Sequence, residues 1–192
     1  MIPSKENMEL ANLVGEWLKN EVAPVCGEYD EKNEFPEKLY AQMTELGLNI
    51  MCTPEEYGGL DLSAVAQTLI AEQLGRYEVG LGSAVGANAS ATHLMNQFGS
   101  PEQKKIFFDI LVNGGWAAFC LTEPNAGSDA GSVATTAEET EDGYVINGTK
   151  CFITNGGIAG VYLVFASMDR SLGVKGISCF LVERDREGIS IG

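Results

Sequence analysis

Only one histidine, His93, stands among the 192 residues, and basic side chains are scarce: twelve Lys and Arg against twenty-seven Asp and Glu, a formal net charge of −15 at pH 7. A surface so short of cations repels a phosphate backbone and anionic lipid alike, which excludes nucleic acid and membrane as expected partners. Apolar runs of roughly 18 residues, long enough to cross a bilayer, are missing. The opening MIPSKENMEL lacks the apolar centre of a secretory signal, so the chain is read as cytoplasmic. The five cysteines, at 26, 52, 120, 151 and 179, are odd in number and show neither CxxC nor Cys/His spacing. No disulfide framework and no metal site is expected, and the thiols read as buried and reduced. His93 has no acidic or nucleophilic neighbour in sequence and reads as a packed or surface helix residue rather than an acid–base catalyst.

What is present divides in two. A hydrophobic content of 45% with mean hydropathy near zero marks a globular chain with a core. Residues 1–115 carry apolar side chains at helical spacing. Leu10, Leu13, Val14, Trp17 and Leu18 are expected on one face of a first helix, and a second helix is expected from near Pro36 to Gly47. A third is expected from about Ser63 to Tyr77 with Leu69, Ile70 and Leu74 inward, and a fourth from about Gly82 to Phe98. The SPEQ stretch at Ser100 reads as a capping box opening a fifth. The GLGSAVG run at 80–86 follows no strand, so close helix packing accounts for it better than a dinucleotide fingerprint. From 116 to 192 the period falls to two, with Asp142-Gly143 and Asn147-Gly148 as turn signals. Strands are expected at about 116–122, 133–141, 144–147, 149–154, 161–168 and 177–183, forming an antiparallel sheet that closes toward a small barrel or sandwich. The fold class is thus α+β, a helical domain followed by a β domain. The final GISIG reads as a strand just beginning, so the β domain is expected to be incomplete.

Two stretches carry chemistry. FCLTEPNAGSDAGS, from Phe119 to Ser132, ends a strand in a loop where Gly127 permits close backbone approach and Ser128 adds an N–H and a hydroxyl, a pair suited to a phosphate oxygen. On the residues alone a surface turn closed by Asx-type bonds remains equally open. KCFITNGG, from Lys150 to Gly157, read as a strand, sends Lys150, Phe152 and Thr154 to one face and Cys151 and Ile153 to the other. An aromatic and a hydroxyl two positions apart suit a flat heteroaromatic ring; an ordinary cross-strand aromatic is the alternative.

Taken together, FCLTEPNAGSDAGS followed some twenty residues later by NGTKCFITNGG resembles the acyl-CoA dehydrogenase family, with a weaker likeness to its bacterial short-chain, butyryl-type members. The resemblance implies an N-terminal helical domain at 1–115 and an FAD-binding β domain at 116–192, with a C-terminal helical domain lying beyond the chain. It implies a flavoprotein oxidoreductase of fatty acid β-oxidation that converts acyl-CoA to trans-2-enoyl-CoA and passes electrons to an electron-transfer flavoprotein, as a homo-oligomer, a homotetramer when full length. The FAD contacts it implies are Phe119, Cys120, Leu121, Thr122, Gly127, Ser128, Phe152, Ile153 and Thr154, with Ser128 also touching the acyl-CoA substrate. Many relatives carry Trp where this chain has Phe152, a smaller platform. Glu123 is implied to be structural, and no residue here is assigned as the catalytic base, which the family draws from the C-terminal domain; the 192-residue chain alone is expected to be inactive. An acyl-CoA oxidase-like flavoenzyme and a non-catalytic assembly module on the same scaffold are the alternatives.

Overall fold

The computed structural model describes residues 3–192, which divide after Gly114 into two compact units. The first unit is helical: α1 (Lys5–Trp17), α2 (Cys26–Lys32), α3 (Glu37–Glu45), α4 (Ala64–Tyr77), α5 (Val79–Phe98) and α6 (Pro101–Val112). No helix among the described residues is long and apolar enough to cross a membrane.

Helix starts follow local capping chemistry. The Ser4 hydroxyl accepts from the Asn7 N–H, and that of Ser63 from the Ala66 N–H. Ser100 and Gln103 close the capping box reciprocally at 3.2 and 2.8 Å. Glu78 accepts from the Gly80 N–H at 2.8 Å, which moves the start of α5 three residues ahead of the expected Gly82. The inward stripe of α1 is Ala11, Val14 and Leu18, and Leu13, expected inside, is 58% exposed. At 100° per residue, a stripe centred between Val14 and Ala11 leaves Leu13 about 130° away, on the outer side of the helix. The chain then widens into a π-helical turn, Leu18–Val22, closed by Ala23 N–H to Leu18 C=O, which buries both end residues. Leu69 of α4 is only half-buried while Ile70 and Leu74 are fully inside. A Cβ at Gly82 would lie 3.3 Å from Leu74, so part of the glycine run serves α4–α5 packing. Buried amides tie the core together: Asn88 donates to the Asn49 carbonyl and Asn49 to that of Leu111. The chain reading missed α2, which has no buried residue and hence no apolar stripe.

The second unit is one mixed five-stranded sheet of β1 (Ala117–Cys120), β2 (Thr136–Thr140), β3 (Gly143–Asn147), β4 (Val161–Ser167) and β5 (Ile177–Glu183). The helical-then-β order stands, but the sheet is not purely antiparallel. Central β4 runs parallel to β1, Ala117 against Val161, and antiparallel to β5 along its whole length. Beyond the end of β1, Ser167 meets Thr136 of the β2–β3 hairpin in a parallel bridge. The expected strand at 149–154 does not form: Phe152 and Asn155 take left-handed backbone, at φ 55° and 65°, which breaks a period of two. Asn147-Gly148 is accordingly no hairpin turn. Gly148 is needed because a Cβ there would lie 2.3 Å from the Thr135 hydroxyl.

Two glycines in the helical unit forecast opposite outcomes for one substitution. Gly59→Ala places a Cβ 2.1 Å from the Thr53 carbonyl oxygen, and backbone cannot step aside; the expected loss is about 2 kcal/mol or more. Gly86→Ala, inside α5 with open space around it, is expected to gain up to about 1 kcal/mol from helix propensity. Urea unfolding of both variants, read by circular dichroism, checks the signs.

Candidate functional site

Three stretches of the β unit converge on one buried carboxylate. Glu123 Oε1 accepts from Lys150 Nζ at 2.6 Å, from the Thr135 hydroxyl at 2.5 Å and from the Thr135 N–H at 3.0 Å, while Oε2 accepts from the Ala134 N–H at 2.6 Å. Lys150 Nζ donates in addition to the Leu121 carbonyl at 3.1 Å. The two side chains are 4% and 10% exposed. Burial alone would raise the Glu123 carboxyl, but hydrogen bonds from Lys150, Thr135 and Ala134 outweigh it and hold the pKa at about 2.

This pair fixes the loop that follows. The Cys151 N–H donates to the Thr122 carbonyl at 2.9 Å, so the 150–156 segment lies against the 121–123 segment. Its far end is held by Asn155 Nδ2 on the Ala117 carbonyl and by the Tyr162 hydroxyl on the Gly156 carbonyl. Between these anchors Ile153 packs on the core of Ala118, Cys120, Ala159 and Tyr162. Phe152 projects outward, 92% exposed, and Thr154 is exposed beside it. Phe152 and Thr154 are thus both exposed, but Lys150, expected on the same face, turns inward to Glu123, because the segment is a pinned loop rather than a strand.

The other expected site residues separate. Phe119 stacks against Phe165 with centroids 4.9 Å apart, and Cys120 is buried on the sheet, its thiol pushed up to about 11 by burial. Their side chains are committed to packing. Leu121 and Thr122 are half-buried, and Gly127 and Ser128 exposed. Gly127 does not have positive φ, contrary to the usual reason for such a glycine, and a Cβ on it would meet no atom within 4 Å. Nothing within the chain requires glycine there. A bare aromatic face and an exposed hydroxyl two residues on suit a flat heteroaromatic ring. The cysteines are all free, but only Cys52 and Cys120 are buried; Cys26 and Cys151 are half-buried and Cys179 exposed. His93 lies on the surface with Nε2 3.4 Å from Gln67 Oε1.

The sequence reading missed a second feature. A cavity of about 250 Å³ is lined by Gly131, Ser132, Val133, Ala134, Ser167, Arg170 and Gly173. The Ser167 hydroxyl is buried without a hydrogen-bond partner, and Arg170 reaches across to the Ala134 carbonyl. Residues 131 and 170 lie far apart in sequence, and no local pattern announces their meeting.

Comparison with known proteins bears on this geometry. Residues 4–115 match the model of the acyl-CoA dehydrogenase N-terminal domain, and residues 118–192 that of the acyl-CoA dehydrogenase middle domain. Among curated relatives, acryloyl-CoA reductase (NADH) of Anaerotignum propionicum is 37% identical over 98% of this chain and 49% of its own length. The short-chain-specific acyl-CoA dehydrogenase of Clostridium acetobutylicum is 38% identical over 98% and 50%. Among solved structures, butyryl-CoA dehydrogenase from Megasphaera elsdenii superposes with a TM-score of 0.90 at 34% identity, covering 98% of this chain and 51% of that one. A chain of the Acidaminococcus fermentans electron transferring flavoprotein structure reaches 0.91 at 37%, covering 98% and 50%. Glutaryl-CoA dehydrogenase of Mycobacterium smegmatis in complex with FADH2 reaches 0.87 at 29%, covering 98% and 48%. The chain spans about half the length of the curated relatives it matches.

The depressed Glu123 pKa makes a pH forecast. The folded value of about 2 lies below the ordinary 4.5, so the pair's stabilisation is fully present above pH 4.5 and lost as pH falls through 2. Glu123→Gln, which strands a buried ammonium, is expected to cost about 3 kcal/mol at pH 7. That gap to wild type should narrow between pH 4.5 and 2. Urea unfolding at stepped pH measures it, and a gap constant with pH would contradict the assignment.

Proposed function

The chain belongs to the acyl-CoA dehydrogenase family, and from that premise we propose that it supplies the FAD-facing wall, and part of the acyl-CoA-facing wall, of an enzyme oxidising saturated acyl-CoA to trans-2-enoyl-CoA. The observation that carries this reading is the loop from Lys150 to Gly156, anchored at both ends and presenting a bare Phe152 ring and the Thr154 hydroxyl beside the Leu121–Thr122 segment. FAD, when bound, supplies the acceptor for the hydride that leaves the substrate β-carbon.

The chain's own residues then take distinct parts. Phe152 offers its face for stacking and Thr154 a hydroxyl to the ring's polar edge. Leu121 and Thr122 border that edge through backbone, and the Thr122 carbonyl is already occupied by the Cys151 N–H. Gly127 admits a phosphate oxygen to the backbone, and the Ser128 hydroxyl serves both phosphate and the pantetheine arm of acyl-CoA. Phe119, Cys120 and Ile153 contribute backbone and support, since their side chains are packed. The cavity between Gly131 and Arg170, with its unsatisfied Ser167 hydroxyl, offers a cation and a donor to an anionic part of the substrate.

Glu123 is not the base that removes the α-proton. A carboxylate with four donors directed at it and a pKa near 2 has little proton affinity and no free lone pair aimed at a substrate. We assign the base to a part of the protein outside these two domains, in keeping with relatives of about twice this length. An electron-transfer flavoprotein as oxidant, a homotetrameric assembly and a cytoplasmic setting, the last in keeping with five free thiols, complete the reading. The acryloyl-CoA reductase relative favours a second direction on the same residues, reduction of an enoyl-CoA.

The test is anaerobic addition of butyryl-CoA and palmitoyl-CoA to the FAD-loaded, full-length protein, followed by flavin absorbance. Bleaching by at least one thioester is expected, stronger with butyryl-CoA; a wild type that retains no flavin, or is bleached by neither, overturns the proposal. Gly127→Val should lose FAD with unchanged far-ultraviolet circular dichroism. Thr154→Val should keep FAD but, by losing one hydrogen bond of about 0.5–1.5 kcal/mol, change the anaerobic reduction rate by up to about tenfold.

A further inference from the structure

We infer that the buried Glu123–Lys150 pair acts as a positioning strut for the flavin-facing loop, holding Phe152 in its left-handed, outward-projecting conformation and thereby setting how its ring meets the cofactor. The inference rests on the reading of this face as the FAD side; the geometry of the strut itself does not.

Phe152 is a bulky residue at φ 55°, a region such side chains avoid, and its ring is 92% exposed. The ring gains almost no burial there, so the conformation must be imposed by neighbours. Two residues before Phe152, Lys150 Nζ is fixed between Glu123 Oε1 at 2.6 Å and the Leu121 carbonyl at 3.1 Å. One residue before it, the Cys151 N–H is bonded to Thr122 at 2.9 Å. One residue after it, Ile153 is packed on the core, and Asn155, itself at φ 65°, is bonded to Ala117.

Among these anchors the ion pair is the one that reaches three chain segments, because Glu123 also holds Ala134 and Thr135. An apolar pair of similar volume would fill the space and stabilise as well or better. It would have no directional hold on the start of the loop. Burying two charges is therefore intelligible as a device for geometry. Both residues are positioning residues in this account, since neither is placed against the cofactor.

Lys150→Met, Glu123→Gln/Lys150→Met and Phe152→Ala are compared in the full-length protein. Amide hydrogen exchange on the apoproteins reads the loop, and midpoint potential with visible circular dichroism of the flavin reads the loaded forms. In both strut variants, the hydrogen-bonded amides of Cys151 and Gly156 are expected to exchange about tenfold faster or more while those of β4 and β5 keep wild-type rates. The flavin signals should shift in the direction of Phe152→Ala, and Lys150→Met added to Phe152→Ala should shift them no further, as for two residues acting through one contact.

Unchanged loop exchange, loop and sheet exchange rising together, or additive flavin shifts would each overturn the inference. If Lys150→Met fails to fold, the doubly neutral variant, which strands no charge, carries the same comparison. A wild type that takes up no FAD sinks the functional reading, and the exchange arm, run without cofactor, then still decides whether the pair holds the loop.

Discussion

A carboxylate and an ammonium withdrawn from water cost several kcal/mol each before they attract one another, and only good geometry with every remaining donor and acceptor engaged recovers that cost. The Glu123–Lys150 pair engages both carboxylate oxygens and two of the three ammonium donors, which are divided between Glu123 and the Leu121 carbonyl. Everything that makes the β unit's exposed face specific hangs from it: the end of β1, the approach to β2 through Ala134 and Thr135, and the start of the Phe152 loop. The chain's other ion pairs do not compare. Lys5–Glu9, Lys32–Glu28, Arg76–Glu72 and Lys105–Asp109 are exposed i,i+4 pairs on helices and Arg186–Glu183 an exposed i,i+3 pair, all weakened by solvent screening. With few cations in the sequence, placing one of them inside is a strong commitment.

What could be read from the chain follows the range of the interaction responsible. Helix starts at Ser63 and Ser100 were legible because a cap is decided within four residues. β4 and β5 were legible from their own short runs of β-branched and aromatic residues. The expected strand at 149–154 failed for the opposite reason. KCFIT has the β-branched and aromatic content of a strand, but Lys150 is claimed by a carboxylate twenty-seven residues away, and the backbone at Phe152 turns left-handed between anchors on both sides. Parallel pairing of β1 with β4 is likewise invisible locally, since it closes over some forty residues of intervening chain. The short α2 left no signal because a helix that buries nothing needs no stripe.

At the site, the two segments singled out by residue chemistry lie against one another, and some of their side chains turn inward. Cys120 and Ile153 stand next to exposed residues in sequence, and the pleat or loop turns them inward. Gly127 was legible as special, but its reason is not the left-handed backbone that glycine usually signals; it is open space. The identity of the ligand came from the resemblance of the two motifs, whereas the pinning that makes them one surface came from atoms far apart in the chain.

A protein of net charge −15 that offers a surface to phosphate-bearing molecules faces an electrostatic contradiction, and the range of each term resolves it. Exposed charges more than about 8 Å away are largely screened at physiological ionic strength, so the global acidity acts weakly at the site. Donors in contact are unscreened. The proposed phosphate contacts are accordingly short-range and mostly neutral, the backbone at Gly127 and the Ser128 hydroxyl, with Arg170 beside the orphaned Ser167 hydroxyl as the cation at hand. Lys150 illustrates the same economy from the other side. Its charge is neutralised by Glu123 and largely withdrawn from solvent, so it adds little to the field that an approaching anion feels and more to the shape it meets.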